Sequence, residues 1–392
     1  MTDYRFDQVF DRRPTSSTKW NKFPEGVLPF WVADMDMRAP PFLLDRLKQR
    51  IDHGILGYTV TPPTVVEAFI RWLEVHYRWS VQPEWLVWIP GVVTGLNLAT
   101  RTALAGESLH QSRRSACRGI VIPRPVYYPF LDVAENSGGE SHLSDLVRSG
   151  QQWIMDFDDL DRCAKDSCLF MLCNPQNPTG RVYTRVELQQ IAELCLRHNL
   201  ILMSDEIHCP LILDRELQHV PVATLSREIE ARTITLFSPT KAYNTPGLSC
   251  AVAVIPDPVL RQDFLHARAG LVPGISPLAY LACELAWSDR SDWLPAMLDY
   301  LRGNEQRVRT VAGARMTPVE GTYLAWIDVR DLNLADAETH FVNHGLGLSL
   351  GEQFGRPGFI RFNFGCPRPT LQAGLERLAA ALSSPDGVFR PT

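Results

Sequence analysis

Four continuous apolar runs in the middle of the chain constrain its fold more than any other feature. They lie at residues 167–173, 200–205, 232–237 and 248–255, and a stretch with helical spacing at residues 185–199 separates the first two. Continuous apolar runs, without the alternation of a half-exposed strand, are typical of strands buried on both faces. Strands that alternate with helices form a parallel or mostly parallel sheet covered by helices. The pattern therefore predicts an α/β fold.

The rest of the chain predicts an extended arm and a second, smaller domain. The first forty residues are rich in Pro, Trp and Asp and have no sustained periodicity. From residue 277 the pattern changes to a long helical region, residues 278–311, followed by alternating strands and a last helix, which predicts an α+β domain packed with the arm. We expect residues 1–50 to form the arm and part of the small domain, residues 51–285 the large domain, and residues 286–392 the remainder of the small domain.

Composition excludes several classes of protein. The net charge of −5 over 392 residues argues against nucleic acid as an obligate partner, because phosphate binding needs clustered Lys and Arg. No apolar run approaches the ~18–20 residues of a membrane span, and the first residues contain no apolar signal segment. The nine cysteines form no CxxC pair, which favours buried reduced thiols over a metal site. We therefore expect a cytoplasmic protein without nucleic-acid, membrane or metal partners.

Two polar motifs follow the apolar runs, at the strand ends where ligands bind in such folds. Lys241 in SPTKAYN is one of only five lysines, and it could form a Schiff base while the hydroxyls of Ser238 and Thr240 bind a phosphate. The alternative is a surface lysine. Asp205 in SDEIH leaves a buried strand, so its carboxylate needs a cationic partner such as a protonated pyridine nitrogen. The alternatives are a helix cap and a metal ligand.

Two further motifs are compatible with the same ligand. In CNPQNPTG the prolines fix the backbone around Asn174 and Asn177, so that the amides point in set directions, although a plain turn is an alternative. PGVVTGLN predicts a turn from a strand into a helix, where backbone N–H groups bind phosphate without basic side chains. Each motif alone is a weak signal.

Taken together, NPQNPTG, SDEIH and SPTKAYNTPGL resemble, in this order and spacing, the fold-type I pyridoxal-5′-phosphate (PLP) enzymes. The more specific similarity is to class-II aminotransferase relatives of the MalY/PatB type, which are carbon–sulfur β-lyases. DRRPTSSTKW, LPFWVADMDM, HGILGYT, PVYYPF, TYLAW and GFIRFNFGCPR extend this resemblance over essentially the whole chain. It implies PLP as cofactor, a small amino acid as substrate, and the fold-type I transferase fold.

The resemblance also implies functions for individual residues. Lys241 would bind PLP covalently and then act as the base on the substrate Cα–H, and Asp205 would keep the pyridine nitrogen protonated. The other implied contacts are Asn177 and His208 near the 3′-oxygen of the ring, Asn177 also near the substrate, Tyr127 on the ring face, Val92, Val93, Ser238 and Thr240 around the phosphate, Tyr58 at the phosphate of a neighbouring subunit, and Arg361 on the substrate α-carboxylate. The contact of Tyr58 would make the active unit a homodimer.

Several positions depart from the pattern of related enzymes. Many aminotransferases carry a phosphate-binding arginine eight residues after the lysine, where this chain has Ser249, and this mildly favours a lyase. Arg38 and Arg124 stand beside motifs that usually carry uncharged or smaller residues, so each is either a surface arginine or a substrate contact. The polar loop at residues 105–118 looks longer than in relatives.

The preferred interpretation of the reaction is β-elimination from L-cystathionine or a related L-cysteine S-conjugate, giving a thiol, pyruvate and ammonia. Transamination of an L-amino acid is the alternative, because it needs the same residues. A regulatory protein that keeps the PLP fold only for binding is a third hypothesis, but the chain has no basic arm and every catalytic position is filled.

Overall fold

The computed structural model describes residues 3–105 and 117–383, so the loop predicted at residues 105–118 falls almost entirely outside the described residues. The strands of the described part are β1 (Leu28–Pro29), β2 (Leu86–Ile89), β3 (Gly119–Arg124), β4 (Glu140–Asp145), β5 (Val147–Ser149), β6 (Gln152–Ile154), β7 (Ser167–Cys173), β8 (Ile201–Asp205), β9 (Thr233–Phe237), β10 (Ala251–Val254), β11 (Leu324–Asp328), β12 (Leu346–Gly347), β13 (Ser349–Leu350) and β14 (Phe359–Asn363).

The α-helices of the same residues are α1 (Thr18–Asn21), α2 (Pro41–Asp52), α3 (Pro63–Tyr77), α4 (Val92–Ala105), α5 (Pro129–Ser137), α6 (Phe157–Ala164), α7 (Arg185–Arg197), α8 (Arg227–Glu230), α9 (Pro258–Arg268), α10 (Pro277–Trp287), α11 (Trp293–Ala312), α12 (Ala337–Asn343) and α13 (Arg368–Ser383). None of them is both long enough and apolar enough to cross a membrane. The described residues also contain no group of His, Cys, Asp and Glu side chains suited to holding a metal ion.

A seven-stranded sheet with the order β2-β10-β9-β8-β7-β3-β4 forms the centre of the large domain. Strand β10 runs antiparallel to both of its neighbours, and the other neighbouring pairs are parallel. The predicted α/β fold with a mostly parallel sheet is therefore confirmed.

Helices cover both faces of this sheet because successive strand residues point to opposite sides. In β7, Leu169 and Met171 pack with the layer formed by α4, α5 and α9, whereas Phe170 and Leu172 pack with α6 and α7 on the other face. This burial on both sides explains why the strand sequences are continuously apolar.

The register of the parallel strands brings the polar motifs to one edge of the sheet. Cys173 at the end of β7 pairs with Asp205 at the end of β8, and Asp205 pairs with Leu236 of β9. Strand β2 also runs parallel to β9, since both are antiparallel to β10. The turn that begins after Ile89 therefore lies at the same carboxyl edge, where ligands bind in folds of this type.

A second, three-stranded sheet with the order β11-β14-β13 packs with α11 and α13. The N-terminal arm joins this part of the molecule. β1 pairs with β12 in parallel, and Phe30 stacks on Phe362 with ring centroids 4.3 Å apart. Met35 and Met37 belong to the same apolar core. These contacts join the arm to the smaller sheet, and the division into an arm, a large domain and a small domain stays a prediction.

Candidate active site

A cavity of about 280 Å³ opens at the carboxyl edge of the large sheet. Its volume lies close to the lower end of the ~300–1,000 Å³ that small-molecule sites occupy. Ten of the residues predicted from the sequence line it, namely Val92, Val93, Tyr127, Asn177, Asp205, His208, Ser238, Thr240, Lys241 and Arg361. Strand ends, one helix start and one strand of the small domain contribute these side chains.

One end of the cavity is suited to binding a phosphate. Gly91 has a φ of +148°, which a residue with a side chain rarely adopts, and α4 begins directly after it. The first N–H groups of a helix have no partner within the helix, so those of Val92 and Val93 are available to an anion. The hydroxyls of Ser238 and Thr240 lie 2.8 Å apart at the same cavity. The helix N–H groups are donors for a phosphate without a basic side chain, and the two hydroxyls, which here bond each other and the carbonyl oxygen of Cys250, line the same cavity.

Asp205 is a buried carboxylate with few partners. Its Oδ1 accepts a hydrogen bond of 3.1 Å from the backbone N–H of Ile207. Burial raises the pKa of Asp205 to about 7, with the charge of Glu206 acting in the same direction and the Ile207 N–H and Lys241 opposing it. A carboxylate in this position is stabilised by a cation. The protonated nitrogen of a pyridine ring fits this requirement.

Lys241 presents a partly deprotonated amine to the cavity. Its Nζ donates a hydrogen bond of 2.6 Å to the carbonyl oxygen of Ala33. Burial lowers the pKa of Lys241 to about 8, and Asp34 and Asp205 oppose this shift while Arg361 adds to it. A substantial fraction of the amine is therefore neutral near pH 8, as a nucleophilic lysine requires.

His208 and Tyr127 are held in their neutral forms. Burial, together with the positive charges of Lys241 and Arg361, lowers the pKa of His208 to about 3. The His208 Nδ1 is buried and has no hydrogen-bond partner among the described residues. Burial raises the pKa of Tyr127 far above its ordinary value, so its hydroxyl stays protonated. Both side chains can therefore donate hydrogen bonds to an anionic ligand oxygen.

Arg361, on β14, brings a buried guanidinium to the cavity. Its Nη1 donates to Asn177 Oδ1 over 2.9 Å, and its Nη2 donates to the carbonyl oxygen of Trp31 over 2.5 Å. Its Nε is buried without a hydrogen-bond partner, and within residues 3–105 and 117–383 no carboxylate forms an ion pair with it. Burial lowers the pKa of Arg361 only to about 10, so it remains charged near neutral pH. A substrate carboxylate would supply the missing counter-charge.

Four other residues from the sequence analysis lie outside the cavity. Asn174 is buried, and its Oδ1 accepts the N–H of Tyr183, so it stabilises the turn. Arg124 pairs with Asp145 over 2.5 Å, and Arg38 is exposed with its guanidinium 5.7 Å from the ring centroid of Phe10. Tyr58 is fully exposed on the surface. Its predicted contact with a neighbouring subunit stays a prediction.

Several residues that line the cavity are not predicted from the sequence to have a function. They include Trp31, Ala33, Thr94, Cys173, Ile207 and Ser349. Trp31 and Ala33 belong to the segment LPFWVADMDM, for which the resemblance implies no function of an individual residue. Ala33 contributes a backbone carbonyl, which no side-chain pattern can signal. Thr94 was detectable, because it stands in the first turn of the helix that follows PGV.

Comparisons with known proteins agree with this geometry. The family model described as aminotransferase class I and II matches residues 33–378. The chain is 36% identical to cystathionine beta-lyase PatB of Bacillus subtilis, over 96% of this chain and all of that protein. Among solved structures it is 42% identical to OvoB, with a TM-score of 0.89, and 29% identical to cystalysin from Treponema denticola, which contains PLP, with a TM-score of 0.88. These two matches cover 97% of this chain and 100% and 99% of the solved chains, respectively.

Proposed function

Because this chain belongs to the aminotransferase class I and II family, we propose that it is a PLP-dependent carbon–sulfur β-lyase. It cleaves L-cystathionine or a related L-cysteine S-conjugate. The observation that carries this proposal is the meeting of three groups at one cavity: the Lys241 amine, the buried Asp205 carboxylate and the Arg361 guanidinium, which has no carboxylate partner among the residues that the structure describes. A relative that is named a cystathionine beta-lyase shares 36% of its residues with this chain.

The residues at the cavity match the chemical groups of PLP. Lys241 would bind its aldehyde carbon covalently, and Asp205 would hold the proton on the pyridine nitrogen. The N–H groups of Val92 and Val93 and the hydroxyls of Ser238 and Thr240 would hold the phosphate. Tyr127 would contact the ring, and Asn177 and His208 would bind its 3′-oxygen. When bound, PLP takes up the electron pair that proton removal leaves at the substrate α-carbon.

The protein orients the substrate and moves one proton. Arg361 binds the α-carboxylate through two parallel N–H···O bonds, with Asn177 beside it, and thereby fixes the direction of the Cα–H bond. The neutral Nζ of Lys241 takes this proton. The Cβ–S bond then breaks, and the electron pair of that bond leaves with the sulfur as a thiolate. Addition of one water to the remaining three-carbon fragment gives pyruvate and ammonia.

Transamination is the alternative, since it begins with the same proton transfer. Ser249 occupies the position at which many aminotransferases carry a phosphate-binding arginine, and it lines this cavity. This difference favours the lyase.

We also propose that two copies of the chain form the active unit, in the cytoplasm. The segment of residues 53–60 is exposed, with Ile55 and Leu56 more than half exposed and Tyr58 fully exposed. A cluster of exposed apolar side chains is typical of a protein interface, and Tyr58 would reach the phosphate of the neighbouring copy. None of the nine cysteines, all of which lie among the described residues, forms a disulfide, which is typical of a reducing compartment. A monomer in sedimentation experiments with saturating PLP would contradict the dimer.

Replacement of Lys241 tests the proposed function. In the Lys241→Ala variant we expect thiol release from L-cystathionine to fall by at least about 10²-fold, the usual contribution of a general base. Borohydride should trap PLP on the Lys241 peptide of the wild type and on no peptide of the variant. Lys48→Ala, which changes an exposed lysine, is the matched control. Full activity in Lys241→Ala would contradict the proposal.

A further inference from the structure

Residues 31–37, here called the strap, hold two of the proposed functional side chains through backbone carbonyl groups. The carbonyl oxygen of Trp31 accepts the Nη2 of Arg361 over 2.5 Å. The carbonyl oxygen of Ala33 accepts the Nζ of Lys241 over 2.6 Å and the hydroxyl of Tyr323 over 3.0 Å. The position of the strap therefore fixes both the free amine and the guanidinium.

Two cations of the N-terminal arm bind the other side of the strap. Arg12 bridges its two aspartates, with Nη2 2.7 Å from Asp34 Oδ2 and Nη1 2.6 Å from Asp36 Oδ1. Lys19 is completely buried, and its Nζ lies 2.7 Å from Asp36 Oδ2 and 3.5 Å from Asp34 Oδ1. The Lys19 Nζ also donates to the carbonyl oxygen of Asp34 over 3.1 Å. The proposed mechanism gives these residues no function.

The two aspartates differ in how fully they are bound. Asp36 accepts hydrogen bonds from Lys19, Arg12 and the indole Nε1 of Trp20. Asp34 binds Arg12 through Oδ2, but its Oδ1 is buried and has no hydrogen-bond partner within the described part of the chain. Lys19 lies 3.5 Å from this oxygen, an ion-pair distance but not a hydrogen bond, so the Asp34 carboxylate is bound less fully than that of Asp36.

Asp34 adjoins the backbone contact that holds Lys241. Asp34 directly follows Ala33, whose carbonyl oxygen binds the amine, and its negative charge raises the pKa of Lys241 against the lowering effect of burial. Asp205 at the end of β8 and Arg361 on β14 also shift the pKa of Lys241, and Lys241 in turn lowers the pKa of His208, which is neutral near pH 7. Asp34 raises the pKa of Lys241 more than Asp205 does.

We propose that Asp34 is a positioning residue for Lys241: Arg12 and Lys19 hold its carboxylate beside Ala33, where it balances the charge of the free Lys241 amine and keeps that amine on the strap. This inference rests on the proposed covalent binding of PLP by Lys241. The ion pairs of the arm would therefore act when the Lys241 amine is free. The amine is free before PLP binds, and again after the substrate amine has replaced it on PLP.

The test uses the full-length protein freed of PLP, and it measures how the rate of covalent PLP capture depends on pH. Only the neutral amine captures PLP, so the rate in the wild type should rise with pH around a midpoint near 8. In Asp34→Asn, which keeps the shape and an oxygen for Arg12, the ammonium loses a neighbouring anion. We expect its midpoint to fall by about one pH unit. Borohydride trapping followed by peptide mass analysis verifies that Lys241 is the captured residue.

A second variant shifts the midpoint in the opposite direction. Arg12→Gln removes a cation beside Asp34 but leaves an amide donor, so the Asp34 charge is less balanced and the midpoint should rise. This variant decides the question if Asp34→Asn does not fold. Asp161→Asn, which removes the same charge from a surface cluster with Arg197 and His198, should leave the midpoint unchanged.

The outcomes separate this inference from the proposed function. An unchanged midpoint in Asp34→Asn, or a fall in Arg12→Gln, overturns the positioning function of Asp34 while Lys241 remains the residue that binds PLP. A wild type that forms no adduct at Lys241 overturns the proposed function itself. If Asp34 has only a structural function, both variants should bind less PLP in total. The pH midpoint of PLP capture should then not shift in opposite directions in the two variants.

Discussion

Lys241 and Asp205 face the same cavity, and burial shifts their pKa values toward each other. The pKa of the lysine falls to about 8 and that of the aspartate rises to about 7, because in both cases the buried site disfavours the charged form. Near neutral pH the protein thus holds a reactive amine and a carboxylate that is ready to bind a cation. A ligand that carries both an aldehyde and a basic ring nitrogen satisfies both residues at once.

Arg361 gives a prediction at the same scale. Arg361→Lys keeps a positive charge but loses the planar fork that binds a carboxylate through two hydrogen bonds. We expect the KM for L-cystathionine to rise about 10- to 100-fold, the equivalent of one lost charged hydrogen bond, with a smaller change in kcat. Steady-state kinetics measure both constants. Arg215→Lys, which changes an exposed surface arginine, is the control. An unchanged KM in Arg361→Lys would contradict the function proposed for Arg361.

At the scale of elements, strand ends and one helix start supply most of the site, and the strap completes it. Strands β7, β8 and β9 place their following loops side by side, and α4 directs its first N–H groups toward the same cavity. Side chains attached to such rigid elements lose little entropy when a ligand binds. The strap has no regular structure of its own, so its position depends on the ion pairs of the arm and on the hydrogen bonds that Asn244 and Asn363 donate to its carbonyl groups.

This dependence predicts a large effect of Lys19 on stability. Lys19→Met fills a similar volume but leaves Asp36 without its buried ammonium partner. We expect the free energy of unfolding of the PLP-free protein to fall by about 3 kcal/mol, as when one partner of a buried ion pair is removed. Urea unfolding followed by circular dichroism measures the change.

The matched control for this experiment is Lys48→Met. Lys48 and its partner Asp45 form an exposed pair three residues apart on α2, which is worth at most about 1 kcal/mol. A loss of stability in Lys19→Met no larger than that in the control would show that the arm does not depend on the buried pair.

At the scale of the whole molecule, the sequence predicts the sheet and its ligand-binding edge well, since continuous apolar runs and the polar motifs after them report burial directly. It does not predict that β10 runs antiparallel, because an apolar run carries no direction. The helical region predicted at residues 278–311 is two helices, α10 and α11, and the intervening Ser288 and Asp289 belong to residue types that favour helix ends.

The candidate site, like the fold, has one part that the sequence predicts and one part that it does not. Side chains with distinctive chemistry, such as Lys241 and Asp205, could be identified from the sequence by type and position. The strap could not, because it acts through carbonyl oxygens that every residue possesses. Its ion pairs join residues that are 15 to 24 positions apart, and the contacts of Ala33 extend to residues more than 200 positions away. Tyr58 is fully exposed in the single chain, and the contact that we propose for it lies on a second copy.

The central claim is that this protein is a lyase, and the dependence on a keto acid tests it most directly. The measurement follows pyruvate and free thiol over many turnovers of the PLP-loaded protein with L-cystathionine and no added keto acid. A lyase needs no amino-group acceptor, so we predict that both products form continuously and in equal amounts. If no thiol is released, and the visible absorption of the cofactor is lost after one turnover and returns only when pyruvate or 2-oxoglutarate is added, the claim is contradicted and the protein is an aminotransferase.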